Sequence, residues 1–362
     1  MAILERMTKL RGALSQIQGR FETEARSPFD DGWTDEEQID KTFQTTVTEE
    51  RARSIIARND SPDIPFEQSI NPYRGCEHGC IYCYARPTHA YLELSPGLDF
   101  ETRLFAKTNA VELLKEELSK KGYRPKPIAF GTNTDCYQPI ERRYKVMRGL
   151  LEVLSACDHP LTIVTKSALI ERDIDLLAPM AKKNLVKAFI SITTLDHRLA
   201  RTLEPRAASP RRRVDALRAL AAAGIPCGVM VAPLIPALTD KTLEAVLEEA
   251  AKAGATRAGW ILLRLPNEVR PLFREWLGAH YPQRAEHVIS IIRQSRGGRE
   301  NDPNFGSRMT GSGNFVELIG KRFDLACRRF GLNSEENHMA SRGGLDCSLF
   351  RPPNAEGQLR LF

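Results

Sequence analysis

Three cysteines within eight residues are the part of this sequence best suited to chemistry. Cys76, Cys80 and Cys83 form a Cys-x3-Cys-x2-Cys run, Cys-Glu-His-Gly-Cys-Ile-Tyr-Cys. Thiolates this close can bind three irons of a cuboidal [4Fe–4S] cluster and leave the fourth iron without a protein ligand. An open iron can bind a small molecule and deliver an electron to it, so the run predicts a reactive centre rather than a structural metal site.

A structural zinc site is the main alternative for the same run. Its spacing suits zinc, and His78 or His89 could be a fourth ligand. Structural zinc sites usually have two ligand pairs that are separated by about a dozen residues or more, and this sequence has no second pair. A disulfide scaffold is disfavoured, because eight Cys in 362 residues are sparse and the three close ones are an odd number.

The run also resembles the cluster loop of the radical S-adenosylmethionine (SAM) superfamily, in which an aromatic residue, here Tyr82, precedes the third Cys. The resemblance implies that the open iron binds the amino and carboxylate groups of S-adenosyl-L-methionine. It further implies that an electron from the cluster cleaves SAM to methionine and a 5′-deoxyadenosyl radical, which abstracts hydrogen from a substrate. A reductant such as a flavodoxin or ferredoxin is the implied partner.

The composition is typical of a globular protein with no membrane contact. Hydrophobic residues make up 42% of the chain and charged residues 27%. The N-terminus carries charges where a signal peptide needs an apolar core, and no stretch approaches the roughly 18–20 apolar residues of a membrane span. We therefore expect a cytoplasmic protein, in a compartment where thiols stay reduced.

The charge pattern divides the chain into three predicted parts. Residues 1–20 are basic and residues 22–50 are strongly acidic with few apolar positions, so residues 1–65 are expected to form a partly disordered N-terminal extension. Residues 66–280 are expected to form the main domain. Residues 281–362 are expected to form a C-terminal extension of mainly helix and loop.

Short apolar runs alternate with longer segments of helical periodicity from residue 68 onward. Several runs are continuously apolar, which is typical of parallel strands buried on both faces. Six strand–helix units imply right-handed crossovers, in either an open doubly wound sheet or a barrel. The superfamily resemblance favours an α/β fold with a partial (β/α)6 barrel. The strand candidates are Gln68–Tyr73, Ile128–Gly131, Leu161–Thr165, Ala188–Ile192, Gly228–Ala232 and Gly259–Leu263.

The helix candidates between and after these strands carry end signals. Asn109, Ser209 and Asn314 each stand where a short polar side chain could cap the first turn of a helix. Pro210 follows Ser209 at the first helical position, which proline tolerates well. Helices are expected over residues 109–122, 209–224, 239–253, 282–295 and 314–331.

Polar residues recur at the carboxyl ends of the predicted strands, where parallel α/β folds bind their ligands. The carboxylate of SAM needs a cation, which Lys166 or Arg206 could supply. The ribose hydroxyls need short polar partners, such as Ser191 and Thr193. The adenine needs an apolar slot with backbone hydrogen bonds. The candidates for that slot are Tyr82 and the segment from Met230 to Pro233.

Within the superfamily, the chain is similar to the spore photoproduct lyase-like branch, often described as DNA repair photolyase-like. The similarity rests on the Asn-Pro-Tyr-x-Gly-Cys entry to the Cys run, on Gly131-Thr-Asn-Thr-Asp135 and on Val164-Thr-Lys166 and Ser191-Ile-Thr-Thr194. It implies that Lys166 and Ser191 contact SAM. It also makes Gly131, Thr132 and Asp135 candidates for the cofactor site.

One departure from that branch concerns hydrogen donation. The spore photoproduct lyases carry a hydrogen-donating Cys three residues before the Asp of this motif, whereas this chain has Thr132 there. Cys136 follows the Asp and is either a displaced donor or a plain buried thiol. The branch and the net charge of +6 favour a nucleic acid substrate, such as a damaged or modified base. The alternatives are a peptide or small metabolite as substrate, or a non-enzymatic metal-stabilised binding protein.

Overall fold

The computed structural model describes residues 11–22, 44–334 and 344–353. The remaining parts of the two predicted extensions, including the acidic segment 23–43, lie outside the described residues, and the two boundaries between the three predicted parts stay a prediction. The strands of the described part are β1 (Thr46–Glu50), β2 (Ala57–Arg58), β3 (Gln68–Ile70), β4 (Tyr73–Arg74), β5 (Arg103–Lys107), β6 (Ile128–Phe130), β7 (Leu161–Thr165), β8 (Val186–Ser191), β9 (Cys227–Leu234) and β10 (Arg257–Leu262).

Six of these strands form the parallel sheet that the sequence predicts. They lie side by side in chain order, β3-β6-β7-β8-β9-β10, and every neighbouring pair is parallel. A doubly wound sheet would reverse its strand order at a switch point, whereas this order never reverses. The fold is therefore a partial (β/α)6 barrel. All residues of β6, Ile-Ala-Phe, are buried, as a continuously apolar strand between two layers should be, and the residues of β3, Gln-Ser-Ile, are also buried.

The connections between the strands are mostly helical. The helices of the described residues are α1 (Asp99–Thr102), α2 (Ala110–Leu118), α3 (Glu141–Tyr144), α4 (Val146–Ala156), α5 (Ile174–Lys182), α6 (His197–Leu203), α7 (Pro210–Ala222), α8 (Leu243–Lys252), α9 (Val269–His280), α10 (Pro282–Gln294) and α11 (Asn314–Phe330). Short 3₁₀ helices lie at Arg86–Leu92, Ala168–Asp173 and Asp240–Thr242. All five predicted helices are present.

Of the three predicted helix caps, one is confirmed. The Ser209 side chain accepts a hydrogen bond from the Arg212 amide at 3.4 Å. The prediction for Asn109 was wrong, because its side-chain amide instead pairs with both backbone groups of Ala52 at 2.9 Å. The prediction for Asn314 was also wrong, because Asn314 is the first helical residue and Gly313 stands at the cap position. Contacts with residues distant in the sequence decide whether a polar side chain caps a helix, and the local sequence pattern does not show these contacts.

A second, three-stranded sheet was not predicted. It has the order β1-β5-β4, with β1 parallel and β4 antiparallel to β5. Its strand β4 ends at Arg74, only two residues before Cys76. The Cys76 amide then donates to the carbonyl of Phe100 at 2.9 Å, which ties the start of the Cys run to α1. The small sheet therefore fixes where the Cys run begins.

The last helix of the predicted main domain, α9, and the helices of the C-terminal region, which is helical as predicted, complete the core. The indole of Trp276 in α9 is fully buried in a second apolar cluster, which also contains Cys80, Ile81 and Tyr82 of the Cys run. Helix α11 packs on α8, where Arg322 pairs with Glu244 at 2.7 Å. Among the described helices, none is both long and apolar enough to cross a membrane.

Candidate cluster and cofactor site

The three cysteines lie on one loop, residues 75–86, which we call the cluster loop. Cys76 and Cys80 are buried, Cys83 is partly buried, and all three thiols are free. The amide of Gly79 donates to the carbonyl of Cys76 at 3.3 Å, and that of Cys83 donates to the carbonyl of Cys80 at 3.2 Å. Two successive tight turns therefore bring the three thiols into one small region of the loop.

A buried ion pair holds the backbone of this loop. Arg86 donates to the carbonyl oxygens of Gly79 at 3.2 Å and Cys80 at 3.0 Å, and it pairs with Glu101. Both side chains are fully buried, so removal of either would leave an uncompensated charge in the interior. The sequence did not identify this pair, because nothing local marks Glu101 as the partner of Arg86.

An N-terminal segment is attached to the same carboxylate. The backbone amides of Gly12 and Ala13 donate to the two oxygens of Glu101 at 2.9 and 2.8 Å. We call residues 11–17 the N-terminal strap. A Cβ atom on Gly12 would lie 1.8 Å from the carbonyl oxygen of Gly79, so the strap packs directly on the cluster loop.

The three thiols form a donor set that suits a metal cluster. Burial raises the pKa of all three, to about 12 for Cys80, and neighbouring thiolates raise the pKa values of Cys76 and Cys80 further. Metal ions that replace the protons remove this penalty. Among the described residues, no three His, Cys, Asp or Glu side chains converge as ligands of a single ion. A cuboidal cluster does not need such convergence, because it binds each thiolate at a different iron.

Asp135 connects the cluster loop to the ends of two strands. Its carboxylate accepts hydrogen bonds from the Lys166 amide at 2.8 Å and the Thr165 hydroxyl at 2.7 Å, and it lies 3.4 Å from Nδ1 of His78. Burial alone would raise the pKa of Asp135, but His78 and these hydrogen bonds lower it well below its usual range. The structure therefore places Asp135 as a buried positioning group, and His78 as its partner.

The motif Gly131-Thr-Asn-Thr-Asp135, which follows β6, is shaped by a close approach of two strands. Gly131 has φ 78°, and a Cβ atom there would lie 1.8 Å from the carbonyl oxygen of Val164. Thr132 then contacts Asn71 at 3.2 Å, and its carbonyl accepts a hydrogen bond from the Tyr84 hydroxyl. Thr132 thus lies at the carboxyl ends of the parallel strands, which we call the mouth of the barrel.

Two polar groups at the mouth have no protein partner within the described part of the chain. The Lys166 ammonium lies 5.8 Å from the ring centroid of Tyr82 and makes neither an ion pair nor a hydrogen bond there. Its charge lowers the otherwise raised pKa values of Cys80 and Cys83, which places it near the cluster loop. The Ser191 hydroxyl, at the end of β8, makes no hydrogen bond among these residues either. A cation and a hydroxyl left free in this way fit a carboxylate-bearing, polar cofactor.

A buried network lies behind these groups. The Tyr82 hydroxyl and the Thr193 hydroxyl both donate to the carboxylate of Glu204, the latter at 2.7 Å, and Glu204 pairs with Arg213. Burial opposes ionisation, yet the charges of Arg213 and, less strongly, Lys166 lower the pKa of Glu204 to about 2. The network fixes the Tyr82 ring. The sequence indicated Tyr82 and Thr193 but not their shared partner, Glu204.

The remaining candidates differ in how the structure places them. Arg206 is already paired with Glu77 at 2.5 Å, so its charge is compensated. Met230 and Pro233 both lie on β9 and are partly exposed. Cys136 is fully buried in the main apolar core, and burial raises its pKa. This placement fits the plain buried thiol, and we do not assign a hydrogen-donor role to Cys136.

Comparisons with known proteins agree with this geometry. Residues 70–250 match the radical SAM superfamily. An uncharacterised protein of Mycobacterium tuberculosis (strain ATCC 25618 / H37Rv) is 40% identical over 233 residues, which cover 64% of this chain and 68% of the relative. An uncharacterised protein of Methanocaldococcus jannaschii is 31% identical over 171 residues, 47% of this chain and 61% of the relative.

The structural comparison points to the same class. A spore photoproduct lyase complexed with dinucleoside spore photoproduct has a TM-score of 0.56 and 18% sequence identity, over 79% of this chain and 80% of that chain. At this identity the likeness is one of fold. The chain belongs to the radical SAM superfamily. Membership implies a [4Fe–4S] cluster and SAM as cofactors.

Proposed function

We propose that this radical SAM enzyme holds its [4Fe–4S] cluster through Cys76, Cys80 and Cys83. The observation that carries the proposal is the position of these three thiols, on one fixed loop beside the unpaired ammonium of Lys166. When bound, the cluster supplies the electron that cleaves SAM to methionine and a 5′-deoxyadenosyl radical, which abstracts hydrogen from the substrate. A flavodoxin or ferredoxin is the proposed source of that electron.

The protein groups around the cluster have distinct proposed roles toward SAM. Lys166 binds the methionine carboxylate, because its ammonium makes no ion pair or hydrogen bond among the described residues. Ser191 binds the polar part of the nucleoside, and Thr193 supports it from behind through its hydrogen bond to Glu204. Tyr82, held by the Glu204 network, forms one wall of the adenine slot with Met230 and Pro233 on β9. Arg206 has a structural role in this proposal, because Glu77 neutralises it.

We propose a nucleic acid as the substrate, with a damaged or modified base as the reacting part. The fold shared with a spore photoproduct lyase and the net charge of +6 support this choice over a peptide or small metabolite. We do not propose that a Cys of this chain donates hydrogen as the hydrogen-donating Cys of the spore photoproduct lyases does. Thr132 stands at the donor position, and the Cys136 thiol lies in the core.

The proposal is tested by anaerobic reconstitution with iron and sulfide, followed by SAM and a strong reductant. We expect 5′-deoxyadenosine from the wild-type chain and none from Cys83→Ala. Cys347→Ala is the matched control, because Cys347 lies in the C-terminal segment, where its thiol donates to the Leu345 carbonyl at 3.7 Å. Iron-loaded wild-type protein that forms no 5′-deoxyadenosine would contradict the proposal, as would a Cys83→Ala variant that forms it normally.

A further inference from the structure

Two arginine–aromatic pairs lie next to each other at the mouth of the barrel. The guanidinium carbon of Arg264 lies 5.7 Å from the ring centroid of Tyr84, and that of Arg308 lies 4.6 Å from the ring centroid of Phe305. Arg264 also contacts Met309, the residue after Arg308, at 3.6 Å. The rings of Tyr84 and Phe305 are 50% and 58% exposed. We call these four residues the aromatic platform.

The platform stands beside the cofactor site. Tyr84 directly follows Cys83 in the cluster loop, and its hydroxyl donates to the carbonyl of Thr132 at the end of β6. Arg264 lies just beyond the end of β10. A molecule bound on the platform would therefore reach from the sixth parallel strand to the residue that adjoins the cluster ligands.

The loop that carries Phe305 and Arg308 is fixed rather than loosely attached. The Met309 carbonyl accepts the amide of Leu262 at 2.9 Å, which pairs the loop with the edge of β10. Arg308 makes a bidentate ion pair with Asp63 at 2.6 and 2.7 Å. Asp63 lies between β2 and β3, so the loop spans from the last parallel strand to the first. Such a surface binds without first having to be ordered.

The charge on the platform is incompletely compensated. Nε of Arg264 is buried without a hydrogen-bond partner, and Arg264 has no ion pair within the described residues. Arg296, close by, donates to four backbone carbonyl oxygens and makes no ion pair among the described residues. Burial and the charge of Arg308 lower the pKa of Arg264, whereas the carboxylates of Asp63 and Asp302 act in the opposite direction. Asp63 is itself paired with Arg308. The site therefore favours an anion.

We infer that the aromatic platform binds a single strand of nucleic acid, with bases stacked on Tyr84 and Phe305 and a phosphate on Arg264. The inference rests on the proposed function and specifies the substrate as single-stranded polynucleotide. Two exposed rings, each beside an arginine, match the bases and phosphates of a strand. An acidic peptide would use the arginines but would leave two exposed rings without a stacking partner.

The test measures strand binding by the full, anaerobically reconstituted chain in the presence of SAM. The probes are a short labelled thymidine oligonucleotide, the same oligonucleotide with an uncharged methylphosphonate backbone, and polyglutamate. The variants are Arg264→Met and Phe305→Ala, with Arg270→Met as the matched control, because Arg270 is an exposed arginine of α9. Each dissociation constant is measured over a range of salt concentrations, and each fold is checked by thermal unfolding.

The two variants should fail in different ways. Arg264→Met should weaken binding and reduce the slope of log affinity against log salt by about 0.7, the value for one lost phosphate contact on a single strand. Phe305→Ala should weaken binding by about tenfold and leave the slope unchanged, because stacking releases no counterions. Arg270→Met should bind like the wild type. The methylphosphonate probe should bind weakly and without salt dependence.

Three results would overturn the inference. They are wild-type binding by both variants, equal affinity for the charged and uncharged oligonucleotides, and polyglutamate binding as tight and as salt-dependent as that of the strand. Formation of 5′-deoxyadenosine in the same preparation separates this inference from the proposed function. Cleavage of SAM without strand binding overturns the inference alone, whereas strand binding without SAM cleavage overturns the proposed function alone.

Discussion

Lys166 and Arg206 differ in what surrounds their charges. Glu77 compensates Arg206 at 2.5 Å, whereas the Lys166 ammonium makes no ion pair or hydrogen bond within the described residues. A cation that is free in the protein can form a full charge-assisted hydrogen bond with a ligand carboxylate. Lys166 is therefore the residue whose substitution should affect SAM binding most directly.

Lys166→Met should weaken SAM binding by about tenfold or more, because a hydrogen bond to a charged group contributes roughly 1.5–3 kcal/mol. The measurement is equilibrium binding of SAM to the reconstituted protein, with iron content checked in parallel. Lys120→Met is the control, because Lys120 is exposed near the end of the α2 region. Unchanged SAM affinity in Lys166→Met with an intact cluster would mean that another group holds the carboxylate.

Residue types were easier to predict than their partners. The chemistry that SAM requires was enough to select four candidates from the sequence, namely Lys166, Arg206, Tyr82 and Thr193. It could not choose between the two cations, because the counter-ion of Arg206 is 129 residues away along the chain. The roles of Asp135 and Glu204 as buried positioning groups depend in the same way on contacts that only the fold creates.

The N-terminal strap and the cluster loop are linked through one carboxylate, that of Glu101. Glu101 receives the strap amides on the same carboxylate that pairs with Arg86, and Arg86 holds the loop carbonyls. The strap also lies against Gly79, between two of the cluster cysteines. It should therefore limit the access of oxygen and water to that side of the loop.

Gly12→Ala should make the cluster more sensitive to air. The added Cβ would lie 1.8 Å from the Gly79 carbonyl oxygen, so the strap must move away from the loop. The measurement is the rate at which the visible absorption of the reconstituted protein bleaches in air. Gly122→Ala is the matched control, because a Cβ there meets no atom within 4 Å. Equal bleaching rates in the two variants would show that the strap does not protect the cluster.

The elements that the sequence predicted are those with a strong local period. Most of the six parallel strands are rich in apolar residues, and α2, α7 and α8 carry end signals, so these elements could be placed. Helices α4 and α5 and strand β5 escaped prediction although they contain apolar residues, and the predicted strand Gln68–Tyr73 is divided between β3 and β4. The short strands β1 and β2 and the strap contain few apolar residues and owe their conformation to partners such as β5 and Glu101.

The C-terminal segment 344–353 connects distant parts of the whole molecule. Phe350 packs on Tyr123 and on His159, with ring centroids 5.4 and 5.3 Å apart. The His159 ring is buried and contacts both the Tyr123 hydroxyl at 2.7 Å and the Pro160 carbonyl at 3.0 Å. Burial lowers the pKa of His159 from 6.5 to about 4. Between about pH 6.5 and pH 4, the His159 ring is therefore neutral in the folded state but protonated in the unfolded chain.

This difference predicts a fall in stability with acid. The unfolded chain binds the proton first, so the stability from His159 is complete above about pH 6.5 and is lost as the pH falls toward 4. The free energy of unfolding should fall by at most about 1.4 kcal/mol per pH unit from this group. Urea unfolding at several pH values should show a flatter dependence for His159→Gln than for the wild type. The exposed His197→Gln serves as control, and identical slopes in all three proteins would contradict the prediction.

The electron paramagnetic resonance spectrum of the reduced, reconstituted protein, recorded before and after addition of SAM, tests the central claim most directly. If three cysteines hold the cluster and one iron is open to SAM, the spectrum must change when SAM is added. A spectrum of a fully protein-ligated cluster that is the same with and without SAM would contradict the account.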